Sequence, residues 1–204
     1  MNENWHDRHV LPYVIDMLCG LRPIREQREK VVPLAYGRVL EVGIGTGHNM
    51  PYYRKSGVTK IVAVDPALHM HHLAQQRINR AGLDVELIGL SVEKLPLADA
   101  SFDSILMTYT LCSIAEPIAA LEEMRRVLAP GGRLLFCEHG RAPMNPFAAG
   151  NPDCSPLGAA SRAVASLAET FLRFSNRLAL SSKSCSLATS RDLSHSRTTF
   201  GVRL

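Results

Sequence analysis

Glycine recurs at every second position of a short loop, a spacing that lets the backbone approach a ligand closely. The loop spans residues 41–47, with the sequence EVGIGTG, and follows the apolar segment 38–42. Because glycine has no Cβ, the chain can turn sharply there and leave room for a nucleotide-type ligand. Dinucleotide loops place another glycine three positions after Gly45, where this chain has His48. Glu41 would repel phosphate, so the pattern favours a cationic or amino-bearing ligand over a dinucleotide.

A carboxylate and a polar loop follow at the ends of the next apolar segments. Asp65 ends segment 60–65, and a carboxylate there can accept hydrogen bonds from both hydroxyls of a ribose. Residues 91–103, with the sequence SVEKLPLADASFD, offer small and polar side chains to an adenine edge. Taken alone, Asp65 could be a solvated residue at a strand end and 91–103 a surface loop. Their order behind the glycine loop favours a site for a nucleoside.

The elements that must position these residues are apolar segments alternating with helical patterns. Unbroken apolar segments suit strands that are buried on both faces of a parallel sheet. The segments are 38–42, 60–65, 84–89, 104–109 and 133–138, and the helical patterns are 10–31, 67–80 and 117–128. The first helical pattern is broken near Gly20 and Pro23. The alternation predicts a right-handed, doubly wound α/β sheet, in which ligands bind at the carboxyl ends of the strands.

Several strings in the chain, taken in order, resemble one known family. They are WHDRHVLPYVID, VLEVGIGTG, VAVDP, LPLADASFDSI, TYTLCSI and EEMRRVLAPGGRLLFCEHG. From residue 36 to residue 139 the chain resembles the class I methyltransferases that depend on S-adenosylmethionine (SAM). The similarity is to the methyltransferase type 11 group, near the ubiquinone and menaquinone C-methyltransferases and the small thiol methyltransferase-like proteins. It implies a mostly parallel, Rossmann-like methyltransferase sheet, SAM as cofactor and S-adenosylhomocysteine as product.

The resemblance also implies a set of cofactor-binding residues near the ends of the strands. The set is Glu41, Gly43, Gly45, Gly47, Asp65, Pro66, Leu68, Val92, Glu93, Thr108 and Leu111. The glycines and Glu41 would line the methionine and ribose part of SAM, with Glu41 facing its amino end. Asp65 would hold the ribose hydroxyls. Pro66 and Leu68 would pack near the adenine, and Val92 would offer backbone contacts to the adenine amine. Glu93 matches an acidic position that is common in the family.

The chemistry at the acceptor asks little of the protein. SAM carries an activated methyl group, so the protein mainly has to align the acceptor and exclude water. A general base is needed only when the acceptor must lose a proton, and His139 is the candidate for that role. The resemblance places Thr108 and Leu111 beneath the sulfonium, facing a small-molecule acceptor. No metal site is predicted, because residues 69–72, HMHH, lack an acid or a cysteine at ligand spacing.

Composition and charge exclude several classes of protein. The chain is 46% hydrophobic and 21% charged, as in ordinary globular domains, and no run approaches the roughly 20 apolar residues of a membrane span. The N-terminus lacks the layout of a signal peptide. The five cysteines are widely spaced without a C-x-x-C pair, which favours the reducing cytoplasm. Residues 141–204 carry the positive charge, 8 Lys and Arg against 3 Asp and Glu, so no nucleic-acid surface is predicted for the remainder.

The sequence divides into three segments. Residues 1–34 are predicted to form a helical lid, 35–143 the SAM-binding Rossmann-like core, and 144–204 a Ser-rich basic tail that is partly helical or disordered. Members of the family complete the sheet with a C-terminal antiparallel hairpin, and the tail shows neither strand alternation nor a hairpin turn. We therefore expect the hairpin to be lacking. The abrupt change in composition leads to the hypothesis of a frameshift in the coding sequence near residues 145–155.

The predicted function is a cytoplasmic, SAM-dependent methyltransferase that acts on a small molecule. Two alternatives stay open at this point. One is a SAM-binding protein without catalytic activity, in which the altered tail has removed the acceptor wall. The other is a dinucleotide-binding dehydrogenase, which His48 disfavours. Neither a nucleic acid nor an integral membrane segment is expected, and the sequence indicates no acceptor atom and no oligomeric state.

Overall fold

The computed structural model describes residues 10–139, 188–189 and 197–203. The four helices of these residues are α1 (Leu11–Cys19), α2 (Arg22–Val31), α3 (His71–Ala81) and α4 (Pro117–Val127). The strands are β1 (Gly37–Val42), β2 (Val58–Val64), β3 (Val85–Ile88), β4 (Phe102–Thr108), β5 (Leu128–His139), β6 (Ala188–Thr189) and β7 (Arg197–Arg203). In the part of the chain that the structure describes, no helix is long and apolar enough to cross a membrane.

The strands form one sheet in the order β3-β2-β1-β4-β5-β7-β6. Strands β1 to β5 pair parallel with one another, and Leu40 of β1 lies between Val62 of β2 and Ile105 of β4. The chain winds outward through β2 and β3 and then returns to β4 on the other side of β1. The carboxyl ends of β1 and β4 therefore flank a topological switch point, the place where doubly wound sheets bind their ligands. The predicted doubly wound, mostly parallel sheet is confirmed.

Side chains from alternate positions of the same strands pack into two separate hydrophobic clusters. On β1, Leu40 belongs to one cluster and Val39 to the other, and on β4 Ile105 and Leu106 divide in the same way. All four side chains are fully buried. Burial on both faces is the physical reason for the unbroken apolar segments, because neither face of a central strand reaches water.

The helix boundaries follow proline and glycine. Helix α1 ends at Gly20, and α2 starts with Pro23 in its first turn, where a missing backbone N–H costs nothing. Helix α4 begins at Pro117, as its pattern predicts. Strand β5 begins earlier than the apolar segment 133–138, because Leu128 already pairs with Phe102 before the register shifts.

The far edge of the sheet differs from the sequence prediction. Strand β7 pairs antiparallel with β5, from Arg133 opposite Arg203 to His139 opposite Arg197, and β6 pairs antiparallel with β7. The expectation that the C-terminal antiparallel strands are lacking is therefore wrong. The β7 sequence, RTTFGVR, contains threonine, phenylalanine and valine, which suit strands, and its pairing covers backbone groups that β5 would otherwise leave open. The remainder of the predicted tail, including residues 140–187, lies outside the described residues.

Candidate functional site

A cavity of about 550 Å³ lies at the carboxyl ends of β1, β2 and β4. Its floor is formed by the turns that follow these strands, and its wall includes Ile15 and Cys19 of α1. Seven members of the predicted set line it: Gly43, Gly45, Asp65, Pro66, Val92, Glu93 and Thr108. The other four, Glu41, Gly47, Leu68 and Leu111, do not. Helix α1 thus lies against the cavity, whereas residues 1–9 lie outside the described part, and the lid role of segment 1–34 stays a prediction.

The glycine loop needs its glycines for two different reasons. Gly43 has a φ of +73°, and a Cβ at this position would collide with the Thr110 side chain after β4. Gly47 has a φ of +85°, and a Cβ would lie 3.0 Å from the Cα of Ala74 in α3. Left-handed backbone and close approach both exclude larger residues. Gly47 therefore packs the loop against α3, while Gly43 and Gly45 border the cavity.

Asp65 is held firmly at the end of β2. One carboxylate oxygen accepts a hydrogen bond from the backbone N–H of Gly45 at 2.7 Å, and the other accepts one from Ala67 at 2.8 Å. A carboxylate oxygen has a second lone pair, so both oxygens can still accept a hydroxyl proton. The bond to Gly45 also ties the carboxylate to the glycine loop. Asp65 is thus oriented before any ligand arrives.

Glu41 lies beneath the loop and outside the cavity lining. It is completely buried, and its oxygens accept hydrogen bonds from the Asn49 amide at 2.9 Å and the Tyr53 hydroxyl at 2.8 Å. Burial raises the pKa of Glu41 to about 7. Asn49 itself lines the cavity and also donates to the Thr108 hydroxyl at 3.0 Å. Glu41 thus supports the site from below, through Asn49.

Arg28 lines the cavity although the sequence analysis did not single it out. The residue is only 5% exposed. Its guanidinium donates to Asn49 Oδ1 at 3.0 Å and to the carbonyl of Cys19 at 2.7 Å, and it lies 5.2 Å from the centre of the Tyr109 ring. One sequence signal was available, since Arg28 stands three residues before the buried Val31 and shares its helix face. An arginine on a buried stripe indicates a polar function.

The turn after β4 is shaped by a buried acid on β5. Glu138 accepts hydrogen bonds from the backbone N–H groups of Thr110 at 2.9 Å and Leu111 at 3.1 Å. Burial raises the pKa of Glu138 to about 7. Tyr109, which precedes these residues and lines the cavity, has a φ of +56°, an unusual value for a residue other than glycine. Backbone strain of this kind clusters at functional sites.

Two predicted residues lie away from the cavity because short 3-10 turns set their direction. Leu68, in the turn Leu68–Met70, is 63% exposed and packs beside Gly89. Leu111, in the turn Leu111–Ser113, is buried in the hydrophobic cluster beneath the site. The backbone of His139 ends β5, while its side chain lies outside the described residues. The role of His139 as a base therefore stays a prediction.

A polar network joins α1 to the glycine loop. The Arg77 guanidinium of α3 contacts both carboxylate oxygens of Asp16 in α1, at 2.7 and 3.0 Å, and donates to the carbonyl of Thr46 at 2.7 Å. His48 Nε2 lies 3.0 Å from Asp16 Oδ1. Burial raises the pKa of Asp16, but the hydrogen bonds and the charge of Arg77 outweigh this effect and hold the pKa below its usual value. Burial lowers the pKa of His48, so at neutral pH its uncharged ring serves as a donor.

The histidines at residues 69–72 contact backbone. His71 Nε2 lies 3.2 Å from the carbonyl oxygen of Asp65, and His72 Nδ1 lies 2.9 Å from that of His69. Within residues 10–139 and the two C-terminal strands, no three His, Cys, Asp or Glu side chains are grouped as a metal ion would require. The contacts indicate that this tract supports the turn after Asp65.

Comparison with known proteins finds similarity to one family of domains. Residues 40–136 match the family described as a methyltransferase domain. A demethylmenaquinone methyltransferase from Clavibacter sepedonicus is 36% identical over 115 residues, 56% of this chain and 46% of the relative. The thiol S-methyltransferase TMT1B from Homo sapiens is 35% identical over 119 residues, 56% of this chain and 48% of the relative. The chain thus spans about half the length of these curated relatives.

A solved structure extends the similarity to most of the chain. A SAM-dependent methyltransferase from Aquifex aeolicus is 26% identical, with a TM-score of 0.62, and the match covers 94% of this chain and 96% of that one. Together with the family match, this similarity confirms the resemblance predicted from the sequence, which is to SAM-dependent methyltransferases.

Proposed function

We propose that this chain transfers a methyl group from SAM to a small-molecule acceptor, in the cavity at the ends of β1, β2 and β4. The observation that carries the proposal is the pairing of Asp65 with the glycine loop. The Asp65 carboxylate is fixed by Gly45, lines the cavity and has further lone pairs that can accept hydrogen bonds. A ribose diol fits this carboxylate better than a phosphate does, because Asp65 at the cavity and Glu41 beneath the loop would repel a polyanion.

The shape of the cavity also fits an adenosyl ligand. Its volume of about 550 Å³ lies within the range of ordinary small-molecule sites, roughly 300–1,000 Å³. Pro66 and Val92 offer apolar contacts on the side of the adenine, and the backbone after Leu90 offers polar ones. Gly45 leaves open space where a Cβ would stand, since no heavy atom lies within 4 Å of that position. We assign the adenine to the Pro66 side and the methionine part to the glycine loop.

The chemistry follows from alignment more than from proton transfer. When bound, SAM supplies a methyl group on a sulfonium leaving group, which a nucleophile attacks in line. The residues of this chain orient and enclose: Asp65 fixes the ribose, and Ile15 and Cys19 of α1 cover the cavity and keep water out. Orientation of this kind lowers a barrier by roughly 7–11 kcal/mol. We retain His139 as the candidate base for an acceptor that must lose a proton.

The acceptor is proposed to be a small molecule with apolar character. Ile114 and Ala115, together with Ile15, give the cavity an apolar wall beyond Thr108. The names of the relatives, which specify a demethylmenaquinone and thiols, make quinols and thiols the first acceptors to test. We propose a cytoplasmic location, which the five widely spaced cysteines without a C-x-x-C pair support.

The test is a methyl-transfer assay with radiolabelled SAM over quinols, thiols and phenols. The expected result is transfer to at least one class by the native chain and at least a tenfold lower kcat/KM for Asp65→Asn. Asp84→Asn, an exposed acid at the opposite end of the sheet, is the matched control and should keep full activity. Binding of SAM without transfer to any class would instead favour the non-catalytic alternative. Preferential binding of NAD would favour a dehydrogenase.

A further inference from the structure

The charge of Arg28 is poorly balanced for a buried residue. Its guanidinium has two hydrogen-bond acceptors, the Asn49 amide oxygen and the Cys19 carbonyl, and both are neutral. Among the residues that the structure describes, no carboxylate oxygen lies within 4.0 Å of it. A guanidinium carries five N–H donors, so further donors remain available for a ligand. Buried charges are normally paired, because an unpaired one costs several kcal/mol of desolvation.

The surroundings of Arg28 do not supply the missing negative charge. Glu41 is hydrogen-bonded to Asn49, which accepts from the guanidinium and donates to the carboxylate, and the charges of Glu41 and Arg28 interact at longer range. Because burial raises the pKa of Glu41 to about 7, this acid is only partly ionised at neutral pH. The Tyr109 ring, 5.2 Å from the guanidinium carbon, offers a cation–π contact, which is weaker than an ion pair.

We propose that Arg28 binds the carboxylate of the amino acid part of SAM. The proposal rests on the proposed function and assigns one end of the ligand within the same cavity. Arg28 and the glycine loop line that cavity together, and Asn49 connects them below it. A guanidinium matches a carboxylate in charge and in planar, bidentate geometry. The carboxylate then balances a charge that the protein leaves open, while Asp65 holds the ribose at the other side.

A purely structural role for Arg28 makes a different prediction. The bond to the Cys19 carbonyl ties α2 to the end of α1, so loss of the guanidinium could simply loosen the lid helix. That loss would weaken the binding of every ligand of the cavity to a similar extent. A carboxylate site, in contrast, affects only ligands that carry the carboxylate. Two ligands that differ in this group therefore separate the two roles.

The experiment is isothermal calorimetry of the full chain with S-adenosylhomocysteine and with its decarboxylated analogue. The native chain should bind the first about 10- to 100-fold more tightly, as expected for hydrogen bonds between charged groups. Arg28→Gln should bind the two ligands with nearly equal affinity, and Arg28→Lys should restore part of the preference. Arg25→Gln, an exposed arginine on the same helix, is the matched control and should keep the native preference.

Two results would overturn the assignment of Arg28. One is a native chain that binds both ligands equally well, a measurement that needs no variant and so does not depend on how Arg28→Gln folds. The other is an Arg28→Gln variant that loses the same factor for both ligands. If the native chain binds neither ligand, the proposed function itself fails, and that outcome is distinct from both.

Discussion

Replacing Asp16 by asparagine should release helix α1 from the glycine loop. Asp16 is the α1 partner of Arg77, which in turn holds the Thr46 carbonyl of the loop. Asparagine keeps the size of the side chain and one oxygen, but it loses the charge. The substitution therefore tests the ion pair while leaving the shape of α1 unchanged.

The magnitude follows from how far the pair is buried. The side chains of Arg77 and Asp16 are 24% and 25% exposed. Exposed ion pairs contribute roughly 0.2–1 kcal/mol, and breaking a fully buried one costs roughly 3–5 kcal/mol. A bidentate pair at a quarter exposure lies between these limits, so we expect a coupling energy of about 1–2 kcal/mol. If ligand binding requires α1 to be held against the glycine loop, the affinity for S-adenosylhomocysteine should fall by at most about 30-fold.

The assay is a double-mutant cycle with Asp16→Asn, Arg77→Gln and the double variant. Urea unfolding gives the free energy of unfolding of each, and calorimetry gives its affinity for S-adenosylhomocysteine. Arg80→Gln, an exposed residue on the same helix, is the control. Arg77→Gln alone should cost more than Asp16→Asn, because it also removes the bond to Thr46. A coupling energy near zero would refute the reasoning that this ion pair holds α1 against the glycine loop.

Three further variants test other parts of the account. Glu41→Gln should have a higher free energy of unfolding than the native chain at pH 8 but not at pH 5. Because the pKa of Glu41 is raised, the folded native chain binds more protons than the unfolded one between pH 4.5 and about pH 7, and its stability falls as the pH rises through that window, by up to about 1.4 kcal/mol per pH unit. Equal pH profiles of the two proteins in urea unfolding would contradict this. Gly43→Ala should lower the free energy of unfolding, measured by thermal denaturation, by about 2–4 kcal/mol. Gly45→Ala, with open space around it, should lower it by only about 1–2 kcal/mol, and equal losses would exclude the collision with Thr110. Thr198→Pro removes the backbone donor opposite Glu138 and should lower the free energy of unfolding by about 3 kcal/mol; an unchanged value would argue against the β5–β7 pairing.

The parallel strands were predictable because central strands carry one simple signal. Leu40 and Ile105 lie in unbroken apolar segments, and burial on both faces leaves no other assignment. Gly43 and Asp65 were predictable for a related reason, since a strand end fixes where the next residues lie. Strand β7 was missed because its sequence, RTTFGVR, is not an unbroken apolar segment, and such a strand is recognised mainly by its partners.

The residues whose positions sequence reasoning did not give depend on tertiary structure. Arg28 is one of several charged residues in α2, and only the packing of that helix against the cavity sets it apart from the exposed Arg25. Leu68 and Leu111 lie in 3-10 turns, where side-chain direction does not follow the strand period. The frameshift hypothesis concerns the coding sequence, and reading the nucleotides around codons 145–155 is the test of it.

Calorimetric titration of S-adenosylhomocysteine into the native chain and into Asp65→Asn tests the central claim most directly. The account predicts saturable binding at one site by the native chain. It predicts affinity about 10- to 100-fold lower for the variant, because charge-assisted bonds to the ribose hydroxyls are lost. Equal affinity of the two proteins, or no binding by the native chain while its melting transition stays cooperative, would contradict a nucleoside site at Asp65.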